Sequence, residues 1–416
     1  ENAGIDLPPV HELALRWTAL DPNPSIVPFI DGLNRASNWD EFRAAAALFD
    51  TPAQNLLYAD VAGNIGYQAP GKVPIRSSGD GRLPAPGWTG TDEWVGYIPF
   101  DELPSTLNPP SGYIVTANNA VIDDDYPHFL TADWNYGYRA RRVVDLITSN
   151  PGLDLDGHAL IQMDGYDLNA DYLRDFVFSA AGVQSGPAEV ALETLVLWDL
   201  QSPAESAGAA VWNATWRNIL SLTFDDELPE QVRAAGGSRW YTVMHDLVQE
   251  PDDPFWDDVG TTSVENRDDI LRLAFEQAVT ELVDRLGPDP LSWQWGELHT
   301  ATFENESLGR SGVALVEDRF NRSDFPTGGN EDVPNATGWT ATEGYFVDWL
   351  PSMRMRIDLG DLSRSVAIHT TGQSGHSGHP HYDDMIPLWL AGDTYPMLWA
   401  RDQVEGHAEG TLILTP

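Results

Sequence analysis

The sequence predicts an α+β protein, and three observations carry that prediction. Short apolar or β-branched stretches mix with a capped helix through the first 150 residues. Apolar residues then recur at three and four spacing from about 154 to 286, the mark of helices with one buried face. Beyond Trp293 the β-type stretches return. These changes of pattern divide the chain into 1–150, 151–290 and 291–416, with a helical layer or insertion in the middle. No repeat of solenoid or propeller period is present.

Taken in order, 13–19 reads as a strand. A helix follows over 38–49: Asn38 is a good N-cap, Glu41 stands three residues on, and the interior is rich in alanine. Residues 56–61 and 65–68 flank Ala62, Gly63 and Asn64, whose tolerance of positive φ predicts a hairpin turn. Proline and glycine are dense from 70 to 110, which predicts a long irregular connection resembling an active-site rim. The β-branched run 113–116 reads as a short buried strand.

In the middle block, Asp154 or Asp156 caps a helix running to Met163, and further helices are predicted over 190–197, 209–222, 240–248 and 266–286. Asp268 and Asp269 suit the positive end of the last helix's dipole. Strands are predicted over 311–316, 354–358, 365–369 and 411–414.

Composition bounds the function. At 416 residues with 42% hydrophobic content and 16 Trp, the chain can bury a large core and is not a disordered acidic tail. The net charge of −41 is spread along the chain, so the basic footprint needed for a nucleic-acid partner is absent. Such a field repels anionic substrates unless a site supplies its own cation. The runs Asp123–Asp125 and 252–258 lack the spaced carboxylates and closing Glu of a calcium loop and read as solvated surface. With no cysteine, disulfides, thiolate catalysis and cysteine-held metals are excluded. No apolar run is long enough to span a bilayer, so no membrane partner is expected. The opening residue, Glu1, suggests a processed subunit or an excised fragment.

Two stretches carry candidate chemistry. The 113–116 run delivers Asn118 and Asn119 into irregular backbone, and a carboxamide held there can donate to a developing oxyanion without adding charge. Arg139 lies a short way downstream and could be the local cation. The plainer alternatives are a turn Asn pair, since Asn favours turns for backbone reasons, and an Arg bridged to a carboxylate such as Asp133. The second stretch is the turn 372–384. Neither Ser374 nor Ser377 has both glycines of a nucleophile elbow. His376, His379, His381 and Asp383 are chemically suitable metal ligands, but their spacing matches no standard zinc pattern, and a glycine-rich hydrogen-bonded turn is the plainer reading.

Ser111-Gly-Tyr-Ile-Val-Thr-Ala-Asn-Asn119, Tyr126-Pro127 and Tyr138-Arg-Ala-Arg-Arg-Val143 together resemble the β-subunit of the penicillin acylase (penicillin amidase) family of N-terminal-nucleophile hydrolases. So do Leu13-Ala-Leu-Arg-Trp17, Asn38-Trp39, the run from Gln54 to Tyr67, and Gly81-Arg-Leu-Pro-Ala-Pro-Gly87 with Trp94. Downstream, Trp198-Asp199, Trp293-Gln-Trp-Gly-Glu-Leu-His299 and Gly372-Gln-Ser-Gly375 with His381-Tyr-Asp383 continue the likeness. These blocks run in order across nearly the whole chain.

The resemblance implies a four-layer αββα N-terminal-nucleophile hydrolase fold, incomplete at its N-terminal side, with 1–150 carrying the site residues. It implies hydrolysis of a linear N-acyl amide, a penicillin or related compound, through an acyl-enzyme on an N-terminal Ser. Glu1 cannot do that work, so the Ser, the α-subunit and the first β-subunit segment are expected on other sequence, and this chain alone is expected to be inactive. Asn118 aligns with the oxyanion asparagine, Asn119 is its nearest rival and a substrate-binding residue, and Arg139 aligns with an arginine that organises the site. Trp293, Trp295 and His299 read as structural. No cofactor is required for such chemistry, although a structural calcium is compatible with it. A periplasmic or secreted location goes with that reading. The alternatives are a binding or structural module without catalysis, and a metal-dependent hydrolase using the His376 to His381 turn.

Overall fold

The computed structural model describes residues 13–21 and 26–415. Glu1 therefore lies outside the described residues. The chain divides into two compact units, Glu1–Gly137 and Tyr138–Pro416.

In the first unit, helix α1 (Val27–Arg35) carries a proline in its first turn, where a missing N–H leaves nothing unsatisfied. Helix α2 (Trp39–Ala46) starts as expected, with the Asn38 side chain accepting the Glu41 N–H at 3.0 Å. It ends at Ala46 rather than Phe49, because the N–H groups of Leu48 and Phe49 bond to carbonyls three residues back and tighten the chain into turns. Strands β1 (Leu56–Ala59) and β2 (Ile65–Gln68) form the expected antiparallel hairpin, with Leu57 opposite Tyr67. The Asp60 carboxylate holds its turn, accepting the N–H groups of Ala62 and Asn64 at 2.9 Å each.

The stretch expected to be irregular from 70 to 110 instead contains three strands. Strands β3 (Pro74–Arg76) and β4 (Trp94–Tyr97) pair as a separate ribbon, while β5 (Ser105–Leu107) joins the free side of β2. At three or four residues each, between prolines and glycines, they are too short to show alternation. Helix α2 covers the face of the hairpin that carries Tyr58 and Gly66. The Trp39 ring lies 5.5 Å from Phe42 and 5.4 Å from Tyr58, and a Cβ on Gly66 would run into its indole.

Two predicted strands of this unit are corrected. Residues 13–17 are irregular and Thr18–Leu20 is a 3-10 turn, with Leu13, Leu15 and Leu20 exposed. Residues 113–116 are half-buried and take no part in a sheet. A β-branched run makes a strand only when a neighbour supplies the ladder, and none does here.

The second unit begins with α3 (Tyr138–Ser149), α4 (Leu155–Gln162), α5 (Leu168–Ala181), α6 (Pro187–Leu197), α7 (Ala207–Phe224), α8 (Ser238–Leu247) and α9 (Arg267–Leu286). Helix α7 is the centre of the core and is buried almost all round, slim at its start because a Cβ on Gly208 would collide with Trp198. Helix α9 packs on it with Ile270, Leu271, Ala274, Phe275, Ala278, Val279 and Leu282, the spacing read from the sequence. Its Asn266 and Asp269 form a reciprocal capping box. Helix α5, capped by Asp167, had not been delimited.

The rest comprises α10 (Trp295–Leu298), β6 (Thr300–Phe303), α11 (Ala314–Phe320), β7 (Arg322–Pro326), β8 (Met353–Arg356), β9 (Val366–His369), α12 (Ile386–Ala391), β10 (Tyr395–Pro396) and α13 (Arg401–His407). Strands β6 and β7 pair, and β8, β9 and β10 form an antiparallel sheet with β9 in the middle. The strand expected over 311–316 is instead the entry to α11, where the Val313 carbonyl accepts the N–H groups of Val316 and Glu317. The one expected over 411–414 is exposed irregular chain.

Trp293, Trp295 and His299 are buried in this unit. The His299 ring stacks on Trp295 at 4.5 Å, its Nδ1 lies 2.6 Å from the Tyr345 carbonyl, and burial pushes its pKa down to about 4. It is a neutral packing group with its Nδ1–H committed. Among the described residues, no helix is long and apolar enough to cross a membrane.

Candidate active site

Asn118 sits where the 113–117 segment turns. Its φ of 64° is in the left-handed region, which Asn tolerates better than most residues. Its carbonyl accepts the Asn135 N–H at 2.9 Å, and Asn119 forms an isolated bridge with Asn135. The Asn135 side chain in turn accepts the Gly137 N–H at 2.9 Å. The 133–137 run thus fixes the backbone of the asparagine pair.

By sequence Asn118 aligns with the oxyanion position and Asn119 is its nearest rival. The Asn119 Oδ1 accepts the Ala117 N–H at 3.0 Å, and its Nδ2 donates to the Ala120 carbonyl at 3.0 Å. Both ends of that carboxamide are spent on its own loop. Asn118 is exposed.

Arg139 belongs to the second unit, in the first turn of α3, and is half-buried. Burial pushes its guanidinium below the ordinary value, and the charge of Asp332 opposes that shift. Asp332 is itself buried and held at a φ of 54°. The carboxylate expected from the sequence, Asp133, is exposed in the first unit, where its charge bears on Arg82.

The start of α3 is fixed by side chains that sequence reasoning missed. The Tyr138 hydroxyl lies 3.2 Å from His245 Nδ1, and His245 Nε2 lies 3.1 Å from Asn169 Oδ1. Tyr172 stacks on the imidazole at 4.0 Å, and burial pushes its pKa down to about 4. A neutral ring must then donate from Nε2 to the Asn169 carbonyl oxygen, leaving Nδ1 to accept the Tyr138 proton. No local pattern announces a link between residues 107 positions apart.

A second buried network lies behind Asp332. The Asp167 Oδ1 caps α5, and its Oδ2 accepts Asn330 Nδ2 at 2.9 Å. Asn330 also donates to Asn213 Oδ1 at 2.9 Å and accepts the Trp339 Nε1–H at 2.7 Å. Burial pushes Asp167 up to about 6. Next to Asn330 in sequence, Glu331 rises well above the ordinary range through burial and the charges of Asp332 and Asp348. Gly236 and Gly237, at φ of 101° and 79°, leave space for that carboxyl group.

A raised carboxyl pKa in the folded state means that the native protein holds its proton longer than the unfolded chain does. The Asp167 contribution is therefore most favourable below its unfolded value and is lost as pH rises through about 6. Between pH 4 and pH 7 the wild type is expected to lose about 2 kcal/mol relative to Asp167→Asn, read from paired denaturant melts. A pH-independent difference would show that Asp167 is not the titrating group.

The histidine turn does not converge. His376 Nδ1 accepts the Gly378 N–H, His379 Nδ1 accepts the His381 N–H, and His381 sits between Asp384 at 2.7 Å and Glu409 at 3.2 Å. Asp383 is ion-paired with Arg322. The turn is therefore a hydrogen-bonded structure with its ligand atoms pointing to separate partners. Among the described residues, no three His, Asp or Glu side chains are grouped to hold a metal ion.

The penicillin amidase family model matches residues 3–406. The chain belongs to the penicillin amidase family. It is 31% identical over 418 residues to the acyl-homoserine lactone acylase QuiP of Pseudomonas aeruginosa, an alignment covering 91% of this chain and 48% of that protein. It is 32% identical over 378 residues to the penicillin acylase 2 proenzyme of Pseudomonas sp. strain SE83, covering 87% of this chain and 46% of that one. A thermostable penicillin G acylase from Alcaligenes faecalis has a similar fold, with a TM-score of 0.63 at 20% identity over 92% of this chain and 71% of that chain. This penicillin amidase chain thus has a mixed helix-and-sheet fold of the N-terminal-nucleophile hydrolase type, and its relatives are acylases. It spans about half the length of the curated relatives it matches.

Proposed function

We propose that this chain is part of a hydrolase that cleaves linear N-acyl amides through an acyl-enzyme, with the nucleophilic Ser supplied by sequence outside these 416 residues. The observation that carries this reading is the penicillin amidase match across residues 3–406. The Ser hydroxyl attacks the amide carbon and passes its proton to the Ser's own α-amine, whose unperturbed pKa of roughly 7.7 to 8.0 suits a base near neutral pH. Asn118 donates its carboxamide N–H to the oxyanion. The C–N bond breaks, the amine leaves with that proton, and water attacks the ester to free the acid.

Asn118 takes the oxyanion role because it aligns with the family's oxyanion asparagine, and the Asn119 carboxamide is bonded to Ala117 and Ala120. Arg139 supplies positive charge in a protein that otherwise repels anions, and in this reading organises the site or meets a substrate carboxylate. The chemistry needs no cofactor. The four-layer αββα arrangement is completed by the missing α-subunit and N-terminal β-subunit segment, and this chain without them is inactive. The QuiP and penicillin acylase relatives point to acyl-homoserine lactones and penicillins as the first compounds to try.

The test is to incubate the complete protein with a panel of N-acyl amides and measure amine release, then look by mass spectrometry for an acylated N-terminal Ser. Turnover with that adduct is expected. Absence of both, in a folded sample with a free N-terminal Ser, would exclude the acylase reading in favour of a non-catalytic binding role.

A further inference from the structure

On the edge strand β8, Arg354 and Arg356 are two residues apart and so project to one face of the sheet. Arg354 is 5% exposed. Its Nη1 donates to the Trp389 carbonyl at 2.6 Å, its Nη2 to Asn335 Oδ1 at 2.8 Å, and its guanidinium lies 4.3 Å from the centre of the Trp389 ring. Arg356 is half-buried, with Nη1 donating to Gln162 Oε1 and Nη2 to Thr394 Oγ1, each at 3.0 Å. Its Nε is buried with no acceptor.

These partners, two carbonyl-type oxygens from side-chain amides, one backbone carbonyl and one hydroxyl, are all neutral. Burial lowers the pKa of Arg354 to about 10, and the charge of Arg356 adds to that shift instead of offsetting it. The contrast with Arg142 is instructive. That guanidinium, also well covered, makes a two-pronged ion pair with Asp164 at 2.8 and 2.7 Å. In a chain with 64 acidic residues, twin guanidiniums at this depth without a carboxylate partner among the described residues are electrostatically incomplete.

We propose that the Arg354/Arg356 pair is a binding site for a small carboxylate or oxyanion, reached from the Arg356 side. A forked guanidinium matches a two-oxygen anion, and the buried Nε of Arg356, which has no acceptor, is the donor left unused in the plane of that fork. Trp389 and Asn335 hold Arg354 rigid, so little ordering cost remains when the anion arrives. The shared chemistry admits a free inorganic oxyanion or an organic carboxylate. The proposal does not depend on the acylase reading.

Isothermal titration calorimetry on the complete protein, at fixed ionic strength with acetate and inorganic phosphate as probes, tests it. Saturable binding is expected, and binding of acetate alone marks the organic carboxylate as the natural class, of phosphate alone the oxyanion. Arg356→Gln should weaken binding about 10-fold, the loss of one charge-assisted hydrogen bond. Arg356→Lys, which keeps the charge but not the fork, should also bind more weakly and serves if the Gln variant does not fold. No saturable binding of either probe, or unchanged affinity in the substituted protein, overturns the proposal.

Discussion

Asn118→Ala in the complete enzyme is expected to lower kcat by roughly 10²- to 10³-fold, the usual cost of one oxyanion donor, with KM for a neutral N-acyl amide changed far less. The split follows from where the carboxamide acts: it meets charge that develops in the transition state and is absent from the bound substrate. Backbone strain has to be separated from this loss. Asn118 occupies φ 64°, which alanine adopts at a cost of about 1 kcal/mol, so a fall in rate with Ala alone could come from a shifted loop. Asn118→Gly removes the carboxamide while leaving that backbone angle at ease. Both variants should lose activity to a similar extent. Recovery of the rate in the Gly variant would mean that the turn, not the amide donor, matters. Asn119→Ala should behave differently, loosening the loop through loss of its bonds to Ala117 and Ala120.

Asn330→Ala is expected to destabilise the second unit by about 4 kcal/mol, among the largest effects of any single change. Its carboxamide is saturated: Nδ2 serves Asp167 and Asn213, and Oδ1 serves Trp339 and the Glu331 N–H. Truncation leaves these groups buried without a replacement, and a methyl group admits no ordered arrangement that satisfies them. Denaturant melts should show the loss, and a fall below about 1 kcal/mol would show that water enters and repairs the network. Asn330→Asp offers a further check. It places a second carboxylate against Asp167, so its deficit should ease as pH falls through about 6, where Asp167 takes up a proton.

Helix α9 and the β1–β2 hairpin were legible because their signals are local. Asn266 with Asp269 caps the one, and Ala62-Gly63-Asn64 turns the other. The same reading failed at 13–19, 113–116, 311–316 and 411–414, where apolar or β-branched residues suggested strands. A strand needs a neighbour to bond with, and nothing in a single stretch states whether one exists. At the candidate site, the motif likeness singled out Asn118, Asn119 and Arg139. It put Asn118 first and Asn119 as its rival, while the bonds that commit the Asn119 carboxamide to Ala117 and Ala120 exist only in the folded loop. The Tyr138–His245–Asn169 link and the Asp167–Asn330 network join positions far apart in the chain, so no spacing could reveal them.

From the sequence alone came the family, the caps and periodicity of the principal helices, the acidic character, and the short set of residues on which chemistry could rest. These depend on residue identity and on neighbours within a few positions. Only the tertiary structure decided that the Asn119 carboxamide is bonded at both ends, that the charge of Asp332 bears on Arg139, that the histidine turn disperses its ligands, and that Arg354 is buried beside a like charge. Hydrogen-bond saturation and desolvation are properties of surroundings, and surroundings exist only once distant segments have packed.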